Sequence, residues 1–306
     1  MVNATADRAA HSRAETRGDQ AEGLRRMLGR AAARMVTLVS AYRGVGKTSV
    51  AIHLAMALSA RGARVLLIDE NCGPANISGL LGLPLRFSLE HVMCGECRLE
   101  AALLPAAQGL MVLSAAVASH GSPARRVIAR EQWAAGVRGI EARFDVVLVD
   151  TALDSAGGVS AFAGVNHDMI VVSSAAAQAV TASYALIKRL RDTGGERRFH
   201  VLLNRVTREE NARVILENLT NVAHSHLHLS VESLGCVSKD DHLRFNSAEF
   251  QSMAVTQLPP PSAAQFHRIA DAISVWPGPC ARPGLMDRFM QRMLVGNPPL
   301  VASAGV

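Results

Sequence analysis

Apolar residues recur along the chain in two alternating patterns. Short runs that are apolar over most of their length stand at residues 36–40, 65–69, 110–114, 146–150, 169–173, 201–204 and 227–231. Between most of them lie longer segments with apolar residues three and four apart, at 48–60, 127–142, 180–191 and 209–221. The short runs suit strands buried on both faces, and the spaced segments suit helices that cover them. Strands alternating with helices predict an α/β fold, a doubly wound and mostly parallel sheet with helices on both faces.

The pattern changes at both ends. Residues 1–18 are polar and without period, so a disordered arm is expected. Over 19–34, Asp19 and Glu22 stand in a capping-box spacing and Leu24, Met27, Leu28 and Ala31 form one stripe, which predicts a short amphipathic helix. The main domain then spans 35–276. Five prolines and glycines between 277 and 284 read as a linker, and residues 285–306 as a further helix and tail. In that helix Leu285, Met286, Phe289, Met290, Met293 and Leu294 take one face, with Asp287, Arg288, Gln291 and Arg292 opposite. It is too short to span a bilayer but suited to the headgroup region, where each arginine beside anionic lipid adds about 1 kcal/mol. Docking on its own domain or on a second copy is the rival reading, since methionine-rich faces suit that too.

Composition narrows the class. Hydrophobic residues make up 49% and charged residues 19%, which excludes a disordered chain. The net charge of +6 singles out neither nucleic acid nor lipid, and no motif supports a specific nucleic-acid partner. Five cysteines are too few for a disulfide scaffold, so a reducing cytoplasm is expected. The first residues lack the apolar core of a secretory signal. Residues 101–124 carry no formal charge, but Pro105, Gln108 and Gly109 interrupt them, so they read as turn and strand rather than a membrane span.

The strongest chemical signal is Ser40-Ala41-Tyr42-Arg43-Gly44-Val45-Gly46-Lys47-Thr48, between a predicted strand and a predicted helix. That is the setting of a phosphate-binding loop. Gly44 and Gly46 let backbone N–H groups approach phosphate oxygens, and the helix N-terminus adds partial positive charge. Lys47 would reach the terminal phosphates, and the Thr48 hydroxyl would complete the coordination of Mg2+. The strict pattern fails at its first glycine, where Ala41 stands, and a chance glycine-rich turn is the plainer alternative. Asp69 and Asp150 each close a buried run, where the carboxyl ends of strands meet the ligand crevice. A turn residue is the alternative for each.

The loop resembles the deviant Walker A of the MinD/ParA class of P-loop ATPases, usually K-G-G-x-G-K-[ST]. LIDENCGPANISGLLGL resembles the class's switch segment, usually D-A-D-x-G-x-A-N before LLGL, and FDVVLVDT its Walker B strand. SYALIKRL, VLLNRV and the motif D-Q-A-x-x-L-R from Asp19 to Arg25 resemble the FlhG/FleN (YlxH) family of flagellar number regulators. The resemblance implies ATP or ADP held by Gly44, Val45, Gly46, Lys47, Thr48 and Ser49. Asn204 stands where the family contacts adenine, although an Asn ending a strand is equally a turn former. It implies Mg2+ at Thr48, Asp69 and Asp150, with Lys47, position 71 and Asp150 serving hydrolysis. It also implies an ATP-dependent homodimer, cytoplasmic and peripheral at the inner face of the cell membrane, with the C-terminal helix contacting anionic lipid. Gln20, Leu24 and Arg25 would engage a GTPase of the FlhF type, and a flagellar transcription activator or switch-complex component is a further partner.

Three departures weigh against full activity. The family's signature lysine, which reaches the partner's phosphates, aligns with Tyr42, and Arg43 stands one place later. A neutral phenol does not replace a charge at a phosphate. The third-position aspartate of the switch is Asn71, which can hold water but cannot present a full negative charge. Ala152, Leu153 and Asp154 replace a glycine-rich switch after Thr151. The expectation is therefore an ATP binder with weak or absent hydrolysis. Three other functions share the features: a ParA-like DNA-partitioning ATPase, a pseudo-ATPase scaffold and a cellulose-synthesis regulator. Cys94 and Cys97 form a CxxC without a second pair, and His224, His226 and His228 are expected on one strand face as solvated residues rather than ligands.

Overall fold

A computed structural model describes residues 33–71, 73, 76–115, 143–152, 168–192, 197–240 and 262–276. The arm at 1–18, the expected helix at 127–142, Leu153 and Asp154, the linker at 277–284 and the C-terminal helix lie outside the described residues. So does the expected helix at 19–34 up to its last two positions, where Arg34 already opens a strand.

In chain order the elements are β1 (Arg34–Val39), α1 (Lys47–Ala60), β2 (Val65–Asp69), α2 (Ile77–Leu80), α3 (Leu89–Met93), α4 (Leu99–Ala102), β3 (Leu103–Ala107), β4 (Leu110–Ser114), β5 (Val146–Asp150), β6 (Asp168–Ser173), α5 (Ala177–Asp192), β7 (Arg198–Val206), α6 (Glu209–Leu227), β8 (Val231–Ser238) and α7 (Ser262–Val275). The strands form one sheet in the order β3-β4-β2-β5-β1-β6-β7-β8. Every neighbouring pair is parallel except β3 with β4. The mostly parallel α/β fold is as the alternation predicts.

Both faces of the sheet are covered, which explains strands apolar along their whole length. Val36 and Leu38 of β1 enter a core shared with α1 and α7, where Phe266, Ile269 and Ile273 close the outer side. Met35, from the opposite face, joins Leu89, Val92 and Leu99 of the short helices. Val39 joins Leu186, Ile187, Leu216 and Leu219 of α5 and α6. Helix α1 lies between the sheet and α7, and ten of its 14 residues are buried. It therefore reads as apolar almost all round rather than as a stripe.

One predicted strand is not there. Residues 227–231 were expected to be extended, but α6 continues to Leu227, ends at His228 with φ 52°, and the strand begins at Val231. Leu219, Ala223 and Leu227 are buried at four-residue spacing, so the alternating His-Leu pairs at its end obey a helical period as well as a strand's. His224 and His226 are accordingly exposed on the last turns of α6 rather than on a strand face. Two described elements carry weaker sequence signals, the edge strand β3 with its central Pro105 and the helix α7. Residues 101–115 form helix end, hairpin and strand, and among the described residues no helix is long and apolar enough to cross a membrane.

Candidate functional site

The order β2-β5-β1 brings three strand ends together at the carboxyl edge of the sheet. Asp69 and Asp150 are direct partners in the β2–β5 register, and Asp150 also stands beside Leu38 of β1, from which the glycine loop departs. An open parallel sheet places its ligand crevice at such a point.

The loop is held in shape from behind. Gly44 and Gly46 have φ of 76° and 84°, a left-handed conformation that a side chain disfavours. A Cβ at Gly46 would lie 2.5 Å from Asn204 Nδ2. That amide donates to the Val45 carbonyl at 2.8 Å, and Arg205, itself at φ 59°, donates to the Gly44 carbonyl at 2.8 Å. With its carbonyls turned to the end of β7, the loop leads straight into α1, whose first turn has no acidic residue and no side-chain cap. The uncapped N–H groups there are the donors that an anion takes.

Five side chains converge in front of it. Lys47 Nζ is paired with Asp150 Oδ1 and donates to the Thr151 carbonyl at 2.5 Å. Thr48 Oγ1 donates to Asp150 Oδ2 at 2.7 Å, and Asn71 Nδ2 donates to the same oxygen at 2.8 Å. Asn71 also reaches Asp69 Oδ1 at 2.9 Å, through both its side-chain and its backbone nitrogen. Asp69 Oδ2 accepts the N–H of Ile77 at 2.6 Å and so fixes the start of α2. Burial, and then the neighbouring Asp150, push the Asp69 carboxyl above its ordinary range, against the hydrogen bonds from Ile77 and Asn71.

A cleft of about 680 Å³ opens over these groups, walled by Tyr42, Arg43, Lys47, Glu70 and Asn71 among others. Thr48 and the two aspartates offer oxygen donors only, the set that suits Mg2+. A divalent cation held there would neutralise charge on bound phosphates.

The expected site is thus largely assembled. Gly44, Val45, Gly46, Lys47, Thr48, Asp69, Asn71, Asp150 and Asn204 all lie at this edge. Ser49 sits one turn from His53, with its hydroxyl 3.4 Å from His53 Nδ1. Asn204 braces the loop, and Asn71 bridges two carboxylates. Tyr42 is 45% exposed and donates to Gln178 Oε1 of α5 at 3.3 Å. Gln20, Leu24, Arg25, Leu285, Met286, Phe289, Met290, Met293 and Leu294 lie outside the described residues. Two contributors were not expected from the sequence. Arg205 had no signal beyond its place next to Asn204. Glu70 had one, an acid where the switch pattern has alanine. Among the described residues no group of three or more His, Cys, Asp or Glu could hold a metal ion by itself, and Cys94 and Cys97 are free thiols.

The nucleotide-binding domain described as CobQ/CobB/MinD/ParA matches residues 36–253. The antiactivator FleN of Pseudomonas aeruginosa is 30% identical over 267 residues, which cover 85% of this chain and 93% of FleN. The flagellum site-determining protein YlxH of Helicobacter pylori is 23% identical over 216 residues, 69% of this chain and 71% of YlxH. Among solved structures, Pyrococcus horikoshii MinD complexed with Mg-ADP has a TM-score of 0.55 at 19% identity, covering 79% of this chain and 96% of its own. That last likeness is one of fold.

Proposed function

The chain belongs to the CobQ/CobB/MinD/ParA nucleotide-binding family, and on that footing we propose that it is an ATP-binding regulator of flagellar number or placement. The observation that carries the nucleotide part is the meeting of Lys47 and Thr48 with Asp150 in front of a glycine loop braced from β7. Phosphates would lie on the N-terminus of α1, with Mg2+ at Thr48 and Asp150 and with Asp69 behind them. The flagellar part leans on the likeness to the antiactivator FleN and to the flagellum site-determining YlxH. ATP would favour a dimer, Gln20 would engage an FlhF-type GTPase, and the helix from Leu285 would attach the protein to anionic lipid at the inner face of the membrane.

Purified protein and Lys47→Ala are compared for ATP affinity and steady-state hydrolysis, with and without anionic vesicles. The expected result is Mg2+-dependent binding that Lys47→Ala weakens by at least about a hundredfold, since a buried charge-assisted contact to phosphate is lost. Absence of binding by the unaltered chain sinks the proposal. One specific arrangement favours a second reading, a nucleotide-holding scaffold: Tyr42 in the signature-lysine position is tied to α5 of its own chain. Tight binding without turnover in any condition selects that reading.

A further inference from the structure

The cleft over the glycine loop is short of available positive charge. Asp69, Glu70 and Asp150 stand at its strand ends, each less than 10% exposed. Lys47, the base buried with them, is paired with Asp150 and donates to the Thr151 carbonyl. Arg205 is committed to the Gly44 carbonyl behind the loop. Among the described residues that wall the cleft, Arg43 is the remaining cation, and its exposed guanidinium is tied to no other described residue.

The backbone that carries Arg43 is held on both sides. Tyr42 before it donates to Gln178 Oε1 of α5 at 3.3 Å, and the Gly44 carbonyl after it accepts from Arg205 at 2.8 Å. The side chain therefore leaves a fixed point of the loop, and it shares the cleft wall with Lys47, Glu70, Asn71 and Ala152. The loop N–H groups and the first turn of α1 suit the inner phosphates of a nucleotide, and Lys47 the outer ones. Because Lys47 is paired with Asp150, a third phosphate would end in front of the three acids, where repulsion is greatest. A diphosphate stops short of that point. A guanidinium offers a planar fork to two phosphate oxygens, and Arg43 can swing onto the third phosphate without giving up a described bond.

We propose that Arg43 closes over the terminal phosphate of the nucleotide held by its own chain, and so sets a preference for triphosphate over diphosphate. The inference rests on the ATP-binding reading above. The contact exists for ATP and has no counterpart for ADP, so it acts on the difference between the two affinities rather than on binding as a whole.

The test compares the full chain with Arg43→Ala and Arg43→Lys. Affinity is read by fluorescence with Mg2+, using the N-methylanthraniloyl derivatives of ADP and of a non-hydrolysable, imido-bridged ATP, at low and at high protein concentration. Thermal melting reports folding, and both variants should melt with the unaltered chain, since the side chain they change has no described partner. Arg43→Ala should weaken triphosphate binding about tenfold and leave diphosphate binding within about twofold. Arg43→Lys keeps the charge without the fork and should retain part of the preference. Added salt should narrow the gap between the unaltered chain and Arg43→Ala, because the contact forms at an exposed mouth. A distorted loop would weaken both nucleotides together, so equal loss of the two overturns the role of Arg43, as does unchanged triphosphate binding. A preference present only at high protein concentration overturns the assignment to its own chain, since the arginine would then serve the nucleotide of a second copy. Failure of the unaltered chain to bind either nucleotide removes the ATP-binding reading and this proposal with it.

Discussion

Acid should loosen the packing of α1 on α7 through one imidazole. His53 stands in the second turn of α1, 2% exposed, with Nδ1 2.7 Å from the Ser49 carbonyl and its ring stacked on Phe266 of α7 at 5.3 Å between centroids. Burial pulls its pKa from 6.5 down to about 4, against smaller upward contributions from the Ser49 hydrogen bond and the charge of Asp240. The unfolded chain therefore takes a proton on this residue well before the folded one does. Stability from His53 is complete above pH 6.5, falls as pH drops through the window from 6.5 to about 4, and has no further to fall below it. At about 1.4 kcal/mol per pH unit, that window amounts to about 3 kcal/mol, a large part of the stability of an ordinary domain. The perturbation is His53→Leu, which keeps the site apolar and cannot be protonated. Urea unfolding at a series of pH values between 7.5 and 4.5 isolates the residue, because other titrating groups act alike on both chains. The two proteins should agree within about 1 kcal/mol at pH 7.5. At pH 4.5 the unaltered chain should have lost about 2.5 kcal/mol relative to the variant. Parallel curves across the whole range would refute the reasoning, since they would mean that the imidazole reaches solvent without opening the α1–α7 contact.

Gly46→Ala should distort the phosphate loop, because the residue holds φ 84° and a Cβ would meet Asn204 Nδ2 at 2.5 Å; calorimetry should show nucleotide affinity reduced by at least about a hundredfold and melting should show a loss of about 1–3 kcal/mol. Asn71→Asp removes two bridging donors and places a third carboxylate beside Asp69 and Asp150, so it should lower stability by about 3 kcal/mol in chelator and regain much of that in millimolar Mg2+, read by thermal melting in the two buffers. Asp168, at the other end of the strands, is ion-paired with Arg198 at 2.7 Å and accepts from Arg198 at 3.0 Å and from Arg34 at 3.3 Å through its second oxygen. Burial raises its carboxyl, but the neighbouring His200 imidazole, Arg198 and Arg34 together hold it below the ordinary range. Its contribution is therefore full above the unfolded value near 4 and disappears as pH falls through the lower folded value. Asp168→Ala should cost about 3–5 kcal/mol in urea unfolding at neutral pH, because two arginines lose a buried partner.

The loop was legible because its conformation has a residue signature. Left-handed backbone at positions 44 and 46 calls for glycine, and a lysine and a hydroxyl at the opening of a helix are the groups that phosphate and Mg2+ take. Asp69 and Asp150 were legible one at a time, each closing an apolar run. That they face each other is a fact of the strand order, which puts β5 between β2 and β1 and which no local pattern announces. The bonds of Asn71 depend on the same crossing, so the motif alone does not show that this residue bridges two carboxylates. Elsewhere the ambiguity was of period. Residues 226–230 alternate polar and apolar, which suits a strand, while Leu219, Ala223 and Leu227 continue a helix, and burial against the sheet decides for the helix. In α7, Phe266, Ile269, Ala270 and Ile273 keep a helical spacing that the prolines at 259–261 obscure.

The charges at the cleft account for the way these departures fit together. Asp69, Glu70, Asp150 and Lys47 are all less than 10% exposed, three acids against one base. Such a set would repel a bare triphosphate and attract a divalent cation, so on the proposed function nucleotide and Mg2+ would enter jointly rather than in turn. An aspartate at position 71 would have made four acids against one base, and the neutral amide found there bridges two of them instead. Glu70, the next residue back along the chain, is a further acid in the wall of the cleft. Tyr42 removes a positive charge from the mouth of the same pocket and is fastened to α5, whereas Arg43 beside it remains exposed at the cleft wall. A site changed at three positions by simple decay would be expected to leave the loop without its brace. Here the brace from Asn204 and Arg205 is intact, and the substituted Asn71 has hydrogen-bond partners that its side chain, and not an aspartate, can satisfy. That consistency supports the proposal that the cleft holds a nucleotide.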